Sequence, residues 1–376
     1  MPAMNTDREL IEAAKNGHLE RVRLLLPTSD PMAEDSCALR AASQNGHVDC
    51  VKMLLPMSDA KAVECLALRW AAQSGHVECV RLLLPVSDPK AEESLALRWA
   101  AGGGHEECVR LLLPASDPKA MKSQAFQVAA SNGHAECVRL LLPVSDPKAD
   151  ESLALRWAAG GGHEECVRLL LPASDPKAMK SQALQVAASN GHSECVRLLL
   201  PVSDPTADES YAIRIAASHG REECVRLLLP VLDAKAANSD ALRLAAHGGH
   251  AECVRLLLPA SNAKAQHSAA LRWAATYGHA ECVRILLAAS EPLGEIDGLL
   301  QKVFDRGHAG VAALMIEEEP RLLDGINLPK CLAEALENRH GDLASYLSSI
   351  IDQREILGVA LGAPDATECG RWRARL

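Results

Sequence analysis

The side chains that could do chemistry recur in pairs. His and Cys stand three positions apart at His47/Cys50, His76/Cys79, His105/Cys108, His134/Cys137, His163/Cys166, His192/Cys195, His250/Cys253 and His279/Cys282. Residues so spaced share one face of a helix, so each pair could offer two ligands to a transition metal. A closed zinc site needs four ligands within about 2.3 Å of the ion, and pairs on successive helices packed roughly 10 Å apart do not supply them. Arg221 stands where His would precede Cys224. Cys is therefore read as a small apolar packing residue, His as a donor that fixes a loop, and no metal or cofactor is expected. Distance also argues against a ladder of disulfides. Nine or more free thiols point to a reducing compartment, the cytoplasm, or a host cytosol if the chain is a secreted effector.

Glu78 and Arg81, Glu107 and Arg110, and their equivalents form a second periodic set. At this spacing on a solvated helix they are surface ion pairs worth a few tenths of a kcal/mol. The chain carries no G-x-S-x-G, no P-loop and no G-x-G-x-x-G in a strand-turn-helix setting, and no catalytic site is expected. Gly102-Gly103-Gly104 and Gly160-Gly161-Gly162 are read as turns at helix ends.

The spacing of these pairs comes from a repeat. Gly17, Gly46, Gly75, Gly104, Gly133, Gly162, Gly191, Gly220, Gly249, Gly278 and Gly307 follow one another at 29 residues, and a weaker copy ends at Arg339-His340. Residues 95–152 and 153–210 are two-repeat blocks that differ only at Phe126/Leu184, Ala135/Ser193 and Lys148/Thr206, so the array grew by duplicating pairs of repeats. The 376 residues carry a net charge of −10, and only ten are aromatic, which suits thin helical layers better than several deep cores. No apolar run reaches the roughly 18 residues of a membrane span, and MPAMNTDREL has no hydrophobic signal core. Neither a membrane association nor export by a cleaved signal is expected.

One unit predicts two helices. Ser87 or Asp88 suits an N-cap with Pro89 at the first helical position, Gly102 to Gly104 stop the first helix, and Pro114 stops the second. The second helix, with Cys108, Val109, Leu111, Leu112 and Leu113, has an apolar surface too broad to hide without neighbouring repeats.

Leu97-Arg98-Trp99-Ala100-Ala101 through Gly104-His105, followed by Val109-Arg110-Leu111-Leu112-Leu113, resembles the helix-turn-helix core of the ankyrin repeat. The resemblance covers roughly residues 8–350. It implies an all-α, ankyrin-like α-solenoid of about twelve helix-turn-helix repeats. The family's usual repeat of 33 residues opens with Thr-Pro-Leu-His, whereas this one has 29 and Leu95-Ala96-Leu97-Arg98 in that place. Four residues are missing where the family builds a β-hairpin finger, so the fingers should be short or absent, with short loops or a longer first helix. The expected organisation is a capping repeat at 1–28, nine regular repeats at 29–288, two degenerate capping repeats at 289–351 and a tail at 352–376.

A helical wheel at 100° per residue puts Leu97, Ala100 and Ala101 on the packed stripe and turns Trp99 and Leu95 outward. These outward slots switch together along the chain, as Cys37/Ala41, Leu66/Trp70, Leu95/Trp99, Gln124/Val128, Leu153/Trp157, Gln182/Val186, Tyr211/Ile215, Asp240/Leu244 and Ala269/Trp273. Beside them runs a row of Arg40, Arg69, Arg98, Arg156, Arg214, Arg243 and Arg272, with Gln127 and Gln185 in the alternate copies. The resemblance implies a concave face of first helices on which partners dock. The expected function is a non-catalytic scaffold, monomeric by itself, that binds a partner protein through Trp70, Trp99, Trp157, Trp273 and Tyr211. Arg69, Arg98, Arg156, Arg214, Arg243 and Arg272 stand beside these rings. Arg next to Trp at regular pitch also suits an anion or nucleic acid, which is the alternative; Arg bonded to the loops of the adjacent repeat is the structural reading of the row.

Overall fold

The computed structural model of the chain describes residues 2–231, 235–290, 293 and 298–360. Among them are 24 α-helices and no strand, an all-α solenoid of paired helices without β-hairpin fingers. The chain divides into two compact units, Met1–Asp204 and Pro205–Leu376.

In the first unit each repeat contributes a longer and a shorter helix, such as Ala91–Gly102 with Glu106–Leu112 and Ala120–Ser131 with Ala135–Leu141. First helices pack on first helices of the adjacent repeats, and second helices on second helices. The first-helix stripe of Leu97, Ala100 and Ala101 is fully buried, as are Cys108, Val109 and Leu112 of the second. Ala is what lets first helices approach closely, and the larger Leu and Val fill the layer between the rows. The second unit repeats this pattern with Ala207–Ser218 and Glu222–Leu228, and ends in Leu328–Glu337 and Gly341–Ala360. The last helix runs beyond position 351 into the expected tail; residues 361–376 lie outside the described residues.

The connection between repeats differs from the expected capped helix start. Pro89 lies in a turn, where Asp88 Oδ1 accepts the N–H of Lys90 at 2.9 Å, and does not open the helix. Three residues then adopt left-handed conformation, Glu92, Glu93 and Ser94, with φ of 51°, 54° and 61°. Only from Leu95 does the chain wind as a right-handed helix. The same single left-handed turn stands at Glu34–Ser36, Val63–Cys65, Met121–Ser123, Asp150–Ser152 and Met179–Ser181 in the first unit, and at Asp208–Ser210 and Gln266–Ser268 in the second. It reverses the chain in the space where a longer repeat would place a hairpin.

Left-handed backbone costs L-residues about 1–2 kcal/mol each, so the turn needs local compensation. Ser94 supplies one bond: its buried Oγ accepts the N–H of Asp117 in the next repeat at 2.8 Å. Arg98 supplies another, donating to the carbonyl of Glu92 at 3.0 Å. The inter-helix turn is tied across repeats as well. Gly75 has φ +74°, and an ideal Cβ there would lie 2.5 Å from Nδ1 of His105. The Nε2 of that ring donates to the carbonyl of Gln73 at 2.8 Å, so His fixes the loop of the preceding repeat.

Candidate binding face of the first helices

The first-helix slots turned outward on the wheel carry the predicted anchors, at graded exposure. Trp157 and Trp273 are 41% and 37% exposed, while Trp70, Trp99 and Tyr211 are half-buried. Three of these tryptophans carry an Arg of the preceding repeat, whether the ring is half-buried or exposed. Arg40 lies over the ring of Trp70 at 5.8 Å, Arg69 over Trp99 at 5.8 Å and Arg243 over Trp273 at 5.7 Å, each from 30 positions earlier. Arg214 lies over Tyr211 of its own helix at 5.9 Å. A guanidinium stacks on an aromatic face in this range with a gain of about 0.5–1 kcal/mol at exposed sites.

Each guanidinium also serves its own repeat. Arg69 donates to the carbonyl of Val63 at 2.8 Å, Arg156 to that of Asp150 at 2.8 Å, and Arg40 to that of Glu34, in these three the first residue of the left-handed turn, while Arg214 donates to that of Glu209, the second. This differs from the sequence expectation, in which Arg reached the loops of the adjacent repeat. The physical reason is the turn itself, whose carbonyls point back along the same helix within reach of the side chain.

Where the next repeat has Val at the Trp slot and Gln at the other, Arg bonds to that Gln: Arg98 to Gln124, and Arg156 to Gln182 at 2.5 Å. Arg98 also touches the sulfur of Met121 at 2.9 Å. In the second unit Arg214 pairs with Asp240 at 3.0 Å, and Arg243 with the same carboxylate. The co-switching slots thus form a complement: an Arg in one repeat meets a ring, an amide or a carboxylate in the next. Arg272 is half-buried.

The second unit holds residues that the wheel did not single out. Tyr277, one turn beyond Trp273, is 41% exposed and stacks on it with centroids 5.8 Å apart. His247 meets both rings edge-on at 4.7 and 4.6 Å, and Arg306 lies over Tyr277 at 5.3 Å. The i, i+4 spacing of Trp273 and Tyr277 was the available signal. In the first unit Met121 and Met179, about half exposed on the left-handed turns, add apolar surface.

The cysteines behave as packing residues. Burial pushes the thiols of Cys79, Cys108, Cys137, Cys166, Cys224, Cys253 and Cys282 up to about 11, with nearby Glu carboxylates adding to the rise in most of them. Glu78 and Arg81 pair at 3.3 Å with both side chains more than half exposed, a solvated ion pair of small energetic weight. Among the described residues no cluster of three or more His, Cys, Asp or Glu could hold a metal ion, and no helix is long and apolar enough to cross a membrane.

The chain belongs to the ankyrin-repeat family. The family profile, described as ankyrin repeats (3 copies), matches residues 7–65, 62–122, 97–180, 126–209, 155–240 and 213–295. Among solved structures the chain is similar to the crystal structure of the human ASB11 ankyrin repeat domain, at 24% identity and a TM-score of 0.40, over 46% of this chain and 95% of that one. No curated protein sequence matches the chain. Ankyrin repeats are in general scaffolds for protein–protein interaction.

Proposed function

We propose that this protein is a non-catalytic scaffold that binds a partner protein through its first helices, with Trp70, Trp99 and Trp157 as anchors in the first unit and Tyr211 and Trp273 in the second. The observation that carries the reading is the exposure of large rings, above all Trp157 and Trp273, on a rigid helical surface. Buried anchors of this type dominate interface energies, and a free protein seldom leaves them open without a partner. Arg69, Arg98, Arg156 and Arg214 hold the turns of their own repeats, and Arg243 stacks on Trp273. Arg272 continues the row.

The same bonds weigh against the anion or nucleic-acid reading. A phosphate would have to compete with a backbone carbonyl at Arg69, Arg98, Arg156 and Arg214 and with a carboxylate at Arg243, and the chain as a whole is acidic. Reducing conditions suit its many buried thiols, so a cytoplasmic setting goes with the proposal, and the scaffold is taken to act as a monomer.

Salt dependence of partner binding separates the two readings. A protein interface built on rings keeps its affinity within a few-fold from low to moderate salt and loses it on Trp99→Ala. A phosphate-binding row loses affinity steeply over the same range.

A further inference from the structure

The rings at one slot of this chain show what they stack with. Trp70, Trp99 and Trp273 each carry the guanidinium of the Arg found 30 positions earlier. Thirty positions before Trp157 the sequence has Gln127. The duplication explains the exception: copying the 58-residue block set a Trp-bearing repeat behind a Gln-bearing one, whereas the parent Trp99 follows Arg69.

Gln127 does not replace the missing cation. Its buried amide donates to the carbonyl of Lys122 at 2.9 Å, and it has no positive charge to offer a ring. Trp157 is the most exposed of the four slot tryptophans, and no guanidinium lies over it among the described residues. Lys122 pairs with Asp150 at 2.6 Å. Glu151, exposed in the same left-handed turn as Asp150, has no ion pair among the described residues.

The geometry points to Trp157 as the subsite for an arginine side chain of the partner protein, which stacks on the indole as Arg40, Arg69 and Arg243 stack on theirs. The inference rests on the proposed first-helix face and names the chemistry of the occupant there. The ring supplies its quadrupole, the acidic chain supplies charge complementarity, and a planar guanidinium fits an aromatic face better than the compact ammonium of lysine.

The test follows the five tryptophan indole N–H signals of the intact chain by NMR, with Trp157 assigned from Trp157→Phe. The probe is a short acetylated Gly/Ser peptide with one central arginine, compared with the same peptide carrying citrulline. The expected result is a shift at Trp157, with affinity for the arginine peptide about two- to fivefold above citrulline. Trp70 and Trp99, already stacked, should respond little. In Gln127→Arg, which installs the residue that Arg69 already is at the equivalent buried slot, the Trp157 signal should move without peptide and then ignore it.

Equal shifts with citrulline, equal responses at Trp70 and Trp157, or an unchanged response in Gln127→Arg would overturn the inference. So would a Trp157 signal that moves when residues 361–376 are deleted, since the chain's own Arg371-Trp372-Arg373 would then be the occupant. The two proposals fail separately. Partner binding that depends on the slot tryptophans, with no arginine preference at Trp157, keeps the face and removes the subsite. An arginine-selective Trp157 with partner binding indifferent to these rings does the reverse.

Discussion

Met121, with φ of 46° and an exposed side chain, illustrates how single residues bear the strain of the short repeat. Only glycine occupies this region without steric penalty, yet the left-handed turns in the described residues use Glu, Asp, Val, Met, Lys, Gln and His at their first two positions. Met121→Gly should therefore stabilise the protein by about 0.5–1 kcal/mol, the relief of the turn less the added freedom of the unfolded chain, read as a raised urea midpoint. Destabilisation would mean that the turn is not left-handed. Gly75 makes the opposite case. Gly75→Ala combines φ +74° with a Cβ only 2.5 Å from His105 and should cost about 1–3 kcal/mol in the same measurement. The co-switching of the outward slots was visible in the sequence, but its meaning was not. A helical wheel has no second helix on it, so that Arg69 stacks on Trp99 and Arg98 reaches Gln124 emerges only when repeats are laid side by side.

At the scale of the helix pair, the heptad-like run of Cys108, Val109 and Leu112 made the buried face legible from sequence, because burial has a period that sequence carries directly. The start of the first helix was not legible. Asp88-Pro89 reads equally well as a cap followed by a first helical residue or as a turn, and local propensity does not register that four residues fewer must still reverse the chain. The buried thiols carry a consequence for pH. Their folded values near 11 exceed the ordinary 9.0, so above the lower value the unfolded chain releases protons that the folded chain retains. Stability is then fully present below pH 9 and falls as pH rises towards about 11, and Cys108→Ala should make that fall shallower. Equilibrium urea unfolding across this range checks the sign. In native protein at pH 8, the half-buried Cys37 should react with a thiol reagent well before Cys108 or Cys137, and denaturant should equalise them.

Across the molecule, the repeat gives its first and second helices different surfaces. Second helices present solvated Glu–Arg pairs such as Glu78–Arg81, and first helices present rings set among guanidinium groups. A solenoid of local contacts lets one face vary without unsettling the core beneath it. The direct test of this account is partner capture from the native cell extract by three forms of the full chain, each confirmed as folded by circular dichroism. These are the unaltered protein, a Trp70/Trp99/Trp157→Ala variant, and an Arg110/Arg139→Ala variant that changes only the second-helix face. The account predicts that the captured protein is lost from the tryptophan variant and retained by the arginine variant. Retention by the tryptophan variant together with loss from the arginine variant would contradict it.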